Sequence, residues 1–127
     1  MNFANVPKEN IIIWLDDLRD PIEYGVPDAV WCKSAKDLWD LYQWLILTGR
    51  INEVVDIHFD NDLGIGYDGY YCFTRLETLL HAAHSRSFKK LKNIFVHTSN
   101  PSAAKKFMVA KESFKVCFDI DIIRMNH

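Results

Sequence analysis

The sequence of 127 residues has few cysteines, no long apolar run and little net charge. Its three cysteines form no closely spaced pair, which argues against a disulfide framework or a zinc site and favours a reducing compartment. No apolar run approaches the ~20 residues that a membrane span needs, and the first ten residues lack the features of a signal peptide. A net charge of −2 gives no electrostatic case for binding duplex nucleic acid. We therefore expect a cytoplasmic protein without a membrane partner.

What the sequence does contain is a regular alternation of strand and helix signals. The length indicates a single domain over residues 1–127. Strands are predicted at 11–15, 29–32, 53–59, 93–97 and 115–120, and helices at 34–49, 70–84 and from Pro101 to about Lys111. Strands that alternate with helices imply a parallel sheet covered on both faces. We expect a three-layer α/β/α fold of flavodoxin or receiver type with five parallel strands.

Two connections of such a fold have no helix in this sequence. Residues 16–28 contain two prolines and a glycine and lack an apolar stripe, so a full helix does not fit there. Either a short irregular crossover joins the first two strands, or the second strand pairs in another way. After the fifth strand the sequence leaves no room for a last helix. The expected domain thus has a loop in place of its first helix and no last helix.

Acidic residues follow two of the predicted strands. Asp16 and Asp17 end strand one, and Asp60 and Asp62 end strand three. Ligands of open parallel sheets bind beyond the carboxyl ends of the strands, and neighbouring strands lie ~4.8 Å apart. A single aspartate at a strand end more often forms a turn or caps a helix, but two acidic strand ends together favour a shared site. Since a divalent cation relieves the repulsion between like charges, we predict Mg²⁺ or Mn²⁺ bound by these four aspartates.

The end of strand four predicts contacts to a phosphate. Asn100 is expected to be the N-cap of a helix whose first residue is Pro101. Free backbone amides and the positive end of the helix dipole are then expected to face the crevice. Thr98 and Ser99 add hydroxyl donors, and Arg19 could bind a phosphoryl oxygen, although an exposed arginine is often only solvated. His97 is expected at the mouth of the crevice, where it could act as general acid or base; its alternative is a structural role.

The glycines of residues 64–69 and the four tryptophans are expected to have structural roles. The spacing G-x-G-x-x-G occurs at residues 64–69, but it does not directly follow an early strand as a dinucleotide-binding loop would. We expect these glycines to let the loop turn across the metal pocket, and Asp68 and Gly69 to lead into the next helix. The four tryptophans are interpreted as core or helix-packing residues.

Four short motifs resemble, in order, those of the cyclic-phosphate-processing receiver family, a group of small divergent response-regulator receivers. The motifs are WLDDLRDP, FDNDLG, YDGY and VHTSNP. Receivers carry an acidic pair after strand one, a phosphoacceptor aspartate after strand three and a Thr or Ser after strand four, which Asp16-Asp17, Asp60 and Thr98 match. The resemblance implies a receiver fold and a role in processing cyclic phosphate ends. Receivers also carry a lysine after strand five, which this sequence lacks, and the first and last receiver helices are missing as well. Asn61 stands where the family's D-H-D-L-G would have histidine.

Two classes of function follow as hypotheses. The first is a Mg²⁺-dependent phosphoesterase that acts on a cyclic or terminal phosphate of a nucleotide or RNA. In it Asp60 is either a nucleophile or a metal ligand, His97 protonates the leaving oxygen, and Arg19 and Thr98 stabilise the phosphoryl charge. The alternative is a binding module that accepts a phosphoryl group on Asp60, docks a partner or sequesters a nucleotide. The sequence does not indicate an oligomeric state.

Overall fold

A computed structural model of the protein describes residues 1–64, 68–83 and 87–126. The elements are β1 (Ile11–Leu15), β2 (Val30–Cys32), α1 (Ala35–Leu47), β3 (Val54–Asp60), α2 (Gly69–Ala83), β4 (Asn93–His97), α3 (Pro101–Met108), α4 (Lys111–Phe118) and β5 (Asp121–Met125). Short 3-10 helices lie at Pro21–Tyr24 and Arg50–Glu53. Within the described ranges, no helix is long and apolar enough to cross a membrane.

All five strands pair in parallel, in the order β2-β1-β3-β4-β5. This is the strand order of flavodoxin-like folds. From β1 the chain moves to one side of the sheet to form β2 and then to the other side to form β3, so the switch point of the sheet lies between β1 and β3. The predicted five-stranded parallel sheet of a receiver-like α/β fold is therefore confirmed. In the register of the sheet, Leu15 lies beside Phe59 and Asp60 lies beside His97. The segments that follow β1 and β3 consequently leave the sheet side by side.

The helices α1 to α4 share one face of the sheet. The connections from β2 to β3, β3 to β4 and β4 to β5 all step in one direction, and right-handed crossovers then place their helices on the same side. Phe59 of β3 contacts Phe73 of α2 and Phe107 of α3, with ring centroids 5.9 and 6.5 Å apart. Phe73 also stacks on Phe114 of α4 at 5.1 Å. These aromatic rings and the apolar stripe of α1 form the core.

The connection from β1 to β2 steps the other way and covers the opposite face. It contains only the 3-10 helix Pro21–Tyr24, as expected for the residues 16–28. The Tyr24 ring stacks on the buried Trp14 of β1, with centroids 5.6 Å apart. Because β2 pairs with β1 in parallel, the short irregular crossover is the correct one of the two alternatives.

The position predicted for strand five was wrong. Residues 111–118 form α4, and β5 follows at Asp121–Met125. The alternating apolar residues of 115–120 suggested a strand, but Phe114 and Phe118 lie four residues apart on one helical face, and Phe114 is fully buried in the core. The helix ends at Asp119, which adopts the left-handed conformation with φ of 55°.

The remaining boundaries differ from the predictions by a few residues. The helix predicted from Pro101 to Lys111 ends at Met108. The strand predicted at 53–59 runs one residue further, so that Asp60 occupies its last position. Ser34 caps the start of α1, since its Oγ accepts a hydrogen bond from Asp37 N at 3.1 Å. The predicted end of α2 at residue 84 lies outside the described residues.

Candidate functional site

Three of the four predicted metal ligands meet at the carboxyl edge of the sheet. Asp16, Asp17 and Asp60 each offer a carboxylate oxygen, and these atoms lie within 4.8 Å of one another. Asp16 and Asp60 are only 2% and 6% exposed. The arrangement follows directly from the pairing of β1 with β3, which brings the two strand ends together. Such closely spaced, buried carboxylates repel one another unless a cation lies among them.

Asp16 shapes the loop that carries it. One carboxylate oxygen, Oδ1, accepts hydrogen bonds from Leu18 N and Arg19 N, both at 2.9 Å. The other, Oδ2, is buried and accepts no hydrogen bond from any described residue. One half of this carboxylate therefore builds the turn, and the other half is available to a ligand.

Arg19 brings a positive charge to the acidic group. Its Nε lies 3.6 Å from Asp16 Oδ2, and its Nη2 lies 3.8 Å from Asp60 Oδ1. Both distances exceed those of a hydrogen-bonded ion pair. The side chain is 32% exposed, and its buried Nη1 has no hydrogen-bond partner within the described part of the chain. The guanidinium thus offsets part of the negative charge and keeps donors available to an anion.

The environment of Asp60 favours its neutral form. Burial of the carboxyl, followed by the charge of Asp16, raises its pKa from 3.8 to about 7. Arg19 and a backbone hydrogen bond at Asp62 act against this rise, while Asp17 adds to it. Asp60 therefore changes its charge near neutral pH in the metal-free site, as strongly perturbed groups in functional sites often do.

An open pocket of about 460 Å³ lies between Asp60, one of the three clustered carboxylates, and the predicted phosphate-binding residues. Its lining residues are Arg19, Asp60, Asn61, Asp62, Asp68, Thr98, Ser99 and Asn100. All eight of these residues are polar or charged, whereas the slightly larger pocket beside α4 is lined in part by Met108, Val109 and Val116. Chemistry and not shape therefore identifies this pocket as the candidate site.

The end of β4 contributes hydroxyl groups to the pocket, but not the expected helix amides. Asn100 Oδ1 accepts hydrogen bonds from Ser102 N at 2.9 Å and Ala103 N at 3.3 Å. Asn100 is therefore the N-cap that the sequence predicted, and its side chain occupies the two amides that were expected to be free for a phosphate. Thr98 Oγ1 accepts a hydrogen bond from Asn100 N at 3.1 Å, which leaves its hydroxyl proton as a donor. Ser99 is exposed at the rim.

Asp62 lies in the pocket but outside the group of three carboxylates. Its Oδ1 accepts a hydrogen bond from Gly64 N at 2.9 Å and so shapes the loop that follows β3. Gly64 has a φ of +74°, and a Cβ there would lie 3.2 Å from Asp17 Oδ2. The start of this loop therefore packs against the carboxylate of Asp17. Gly66, the middle glycine of the predicted turn, lies outside the described residues.

His97 lies beneath the site instead of at its mouth. It is only 3% exposed, and its Nε2 is 2.7 Å from Nδ1 of the buried His58. The two imidazoles and the Trp14 indole pack together on the sheet face that Asp60 shares. His58 precedes Asp60 by two residues in β3, so their side chains lie on the same face of the sheet. The position expected for His97, at the mouth of the crevice, was therefore wrong.

Two tryptophans that sequence patterns assigned to packing contact the site loop. Trp31 Nε1 donates a hydrogen bond to the Asp16 carbonyl at 2.7 Å, and Trp14 Nε1 donates one to the Arg19 carbonyl at 2.8 Å. Trp39 and Trp44 of α1 do pack against neighbouring rings, as expected. The only signal in the sequence was the position of Trp14, two residues before the acidic pair.

Gly69, the first residue of α2, lies against the backbone of Asp60. A Cβ at this position would be 1.8 Å from the Asp60 carbonyl oxygen, and Gly69 N donates a hydrogen bond to the Asn61 carbonyl at 3.0 Å. Only glycine permits this approach. The expectation that Asp68 and Gly69 lead into the helix is confirmed, and the structure shows why the second residue has no side chain.

Comparison with known families gives a match over most of the chain. A family model described as the cyclic-phosphate processing receiver domain matches residues 11–113. The matched segment starts with β1 and includes every residue that lines the pocket. No curated protein and no solved structure matches the chain significantly.

Replacing Asp60 with asparagine should stabilise the metal-free protein. The raised pKa means that the folded state holds a proton more tightly than the unfolded state, so the wild type loses stability as pH rises from about 4 to about 7. Because asparagine mimics the neutral carboxyl, the variant's free energy of unfolding should exceed that of the wild type by an amount that grows over this pH range and then remains constant. Urea unfolding at pH 5 and pH 8 with EDTA measures it.

The matched control is Asp119→Asn, because the exposed Asp119 has its pKa lowered by Lys115. It should show no gain that grows with pH. A less stable Asp60→Asn protein at pH 8 would contradict the assigned electrostatics.

Gly69→Ala should displace the start of α2 from the strand end that carries Asp60. The added Cβ meets backbone and not a flexible side chain, so relief requires the helix or β3 to move. Overpacking of this kind costs about 1–3 kcal/mol or more, which urea unfolding detects. Native stability of the alanine variant would show that the close approach does not constrain the site.

Proposed function

Because the chain belongs to the cyclic-phosphate processing receiver domain family, we propose that it is a divalent-metal-dependent phosphoesterase. Its substrate is a cyclic or terminal phosphate on a nucleotide or an RNA end. The observation that carries the proposal is a pocket lined by Asp60, Arg19 and two hydroxyl residues, in which the Asp60 carboxylate also lies within 4.8 Å of those of Asp16 and Asp17. Metal-assisted phosphoryl chemistry needs carboxylates that hold the metal and hydrogen-bond donors that bind the phosphate.

The residues fit a hard divalent cation. Asp16, Asp17 and Asp60 supply oxygen atoms close enough to share one ion, and Asp16 Oδ2 is buried without a hydrogen-bond donor. Mg²⁺ prefers a few carboxylates with water in its remaining positions, and Mn²⁺ accepts the same ligands. When bound, such an ion polarises a phosphoryl oxygen and lowers the pKa of its water.

The other pocket residues orient the phosphate. Arg19 presents guanidinium donors beside Asp60, and the hydroxyls of Thr98 and Ser99 lie across the pocket. These groups bind the non-bridging oxygens, whose negative charge increases as the bond to the ribose oxygen breaks. Attack by water on the cyclic phosphate opens one phosphorus–oxygen bond, the ribose oxygen takes up a proton, and a phosphomonoester remains. Since the His97 ring is buried behind the site, we assign it no direct proton transfer and expect solvent in the open pocket to supply the proton.

A second function is favoured by the distance of 3.8 Å between Arg19 Nη2 and Asp60 Oδ1. Receivers accept a phosphoryl group on the aspartate that Asp60 matches, and a nearby cation stabilises the aspartyl phosphate. In this chain β5 ends without a lysine, and the guanidinium could serve in its place. The protein would then be a phosphoacceptor module that docks a partner or holds a nucleotide.

Incubation with 2′,3′-cyclic nucleotides distinguishes the two functions. A phosphoesterase should release nucleoside monophosphate only with Mg²⁺ or Mn²⁺, and Asp60→Asn should lower the rate by on the order of 100-fold or more because it removes a charged ligand. Asp119→Asn, far from the pocket, should leave the rate unchanged. Chromatography of the products measures both.

Absence of turnover in the wild type, or equal turnover in the Asp60→Asn variant, contradicts the phosphoesterase. In that case acetyl phosphate with Mg²⁺ should add one phosphoryl mass to the wild type and none to Asp60→Asn if the phosphoacceptor function is correct.

A further inference from the structure

We propose that Trp14 and Trp31 are positioning residues that hold the site loop, residues 16–19, in the geometry that binds a divalent cation. The inference rests on the metal site of the proposed function and extends it to two residues outside the pocket. Both side chains act through their indole N–H groups on the backbone, and neither lines the cavity among its described residues.

The two indoles contact the first and last residues of the site loop. Trp31 Nε1 donates to the carbonyl of Asp16 at 2.7 Å, and Trp14 Nε1 donates to the carbonyl of Arg19 at 2.8 Å. Both are short, well-formed hydrogen bonds. Trp14 and Trp31 are paired in the register of β1 and β2, so their side chains leave the same face of the sheet next to each other. The two donors are thus fixed by the sheet and not by the loop.

The Trp14 ring has little freedom to move. It is 1% exposed and packs between Tyr24 on one side and the rings of His58 and His97, with centroids at 5.6, 4.9 and 4.8 Å. An indole held in this way gives its N–H a constant position. The Arg19 carbonyl is therefore tied to a buried aromatic layer beneath the site.

The loop needs external support because its own charges act against it. Asp16 and Asp17 approach Asp60 to within 4.8 Å, and their repulsion favours an open loop when no cation is present. Within the loop, the Asp16 carboxylate accepts hydrogen bonds from Leu18 N and Arg19 N. These hydrogen bonds fix the turn but not its position relative to the sheet. The indole hydrogen bonds supply that position, so their loss should weaken cation binding more than it weakens the fold.

Titration of ¹⁵N-tryptophan-labelled protein with Mg²⁺ tests the connection. The four tryptophans should give four indole N–H signals, assigned with single Trp→Phe variants. Mg²⁺ should shift the signals of Trp14 and Trp31, whose acceptors belong to the site loop. The signals of Trp39 and Trp44 on α1 should remain in place. A merely structural role for Trp14 and Trp31 would leave all four signals unchanged.

Calorimetry of Mg²⁺ binding gives the second measurement. Trp14→Phe and Trp31→Phe keep an aromatic ring and remove the donor, and each should weaken the affinity about 3- to 10-fold, the value of one net hydrogen bond. Trp39→Phe and Trp44→Phe are the matched controls and should bind as the wild type does. Urea unfolding of all four variants separates affinity from stability, and the half-buried Trp31 provides a test if Trp14→Phe folds poorly.

Wild-type affinity in both Trp14→Phe and Trp31→Phe would overturn the inference while leaving the metal site intact. Equal weakening in the Trp39 and Trp44 controls would overturn it as well, because the effect would then be general. If the wild type itself binds no Mg²⁺, the result overturns the metal site of the proposed function and, with it, this inference.

Discussion

The repulsion among three carboxylates at the end of a buried sheet is the constraint on which the rest of the site depends. Asp16, Asp17 and Asp60 lie within 4.8 Å of one another, and burial raises the pKa of Asp60 to about 7. This arrangement destabilises the metal-free protein, since every contact that holds the carboxylates together opposes their repulsion. The fold holds them through strand pairing, through the turn built on Asp16 and through the close packing of Gly69 on β3. Stability given up at a functional site in this way is common in proteins.

Strand order explains why the site loop has the form it has. Three crossovers in one direction place α1 to α4 on a single face, so the opposite face depends on the connection between β1 and β2. A helix in that connection would carry residues 16–19 into a regular backbone. The short 3-10 helix Pro21–Tyr24 instead leaves them as a loop, whose carbonyls accept hydrogen bonds from Trp14 and Trp31. The missing helix and the shaped acidic loop are therefore two aspects of one feature.

Much of this architecture could be predicted from the sequence because it depends on local patterns. Continuous apolar runs mark β1 and β4, and the aspartates directly after β1 and at the end of β3 meet because parallel strands end at one edge. The rest depends on tertiary contacts that no pattern encodes. Helix α4 was mistaken for a strand because packing of Phe114 on Phe73 decides an ambiguous apolar run. The depth of His97 likewise depends on a contact with a residue distant in sequence, whereas the N-cap at Asn100 was predicted from the local Asn-Pro pair and is confirmed.

Calorimetric titration of the wild type with Mg²⁺ at pH 7, in buffers of different ionisation enthalpy, tests the acidic site most directly. A carboxyl with a pKa of about 7 must lose its proton when a cation binds, so we predict one saturable site whose heat depends on the buffer. The fractional proton release should vanish in Asp60→Asn, together with most of the affinity. Absence of saturable binding in the wild type, or identical proton release in the variant, would contradict a cation site built on Asp16, Asp17 and Asp60.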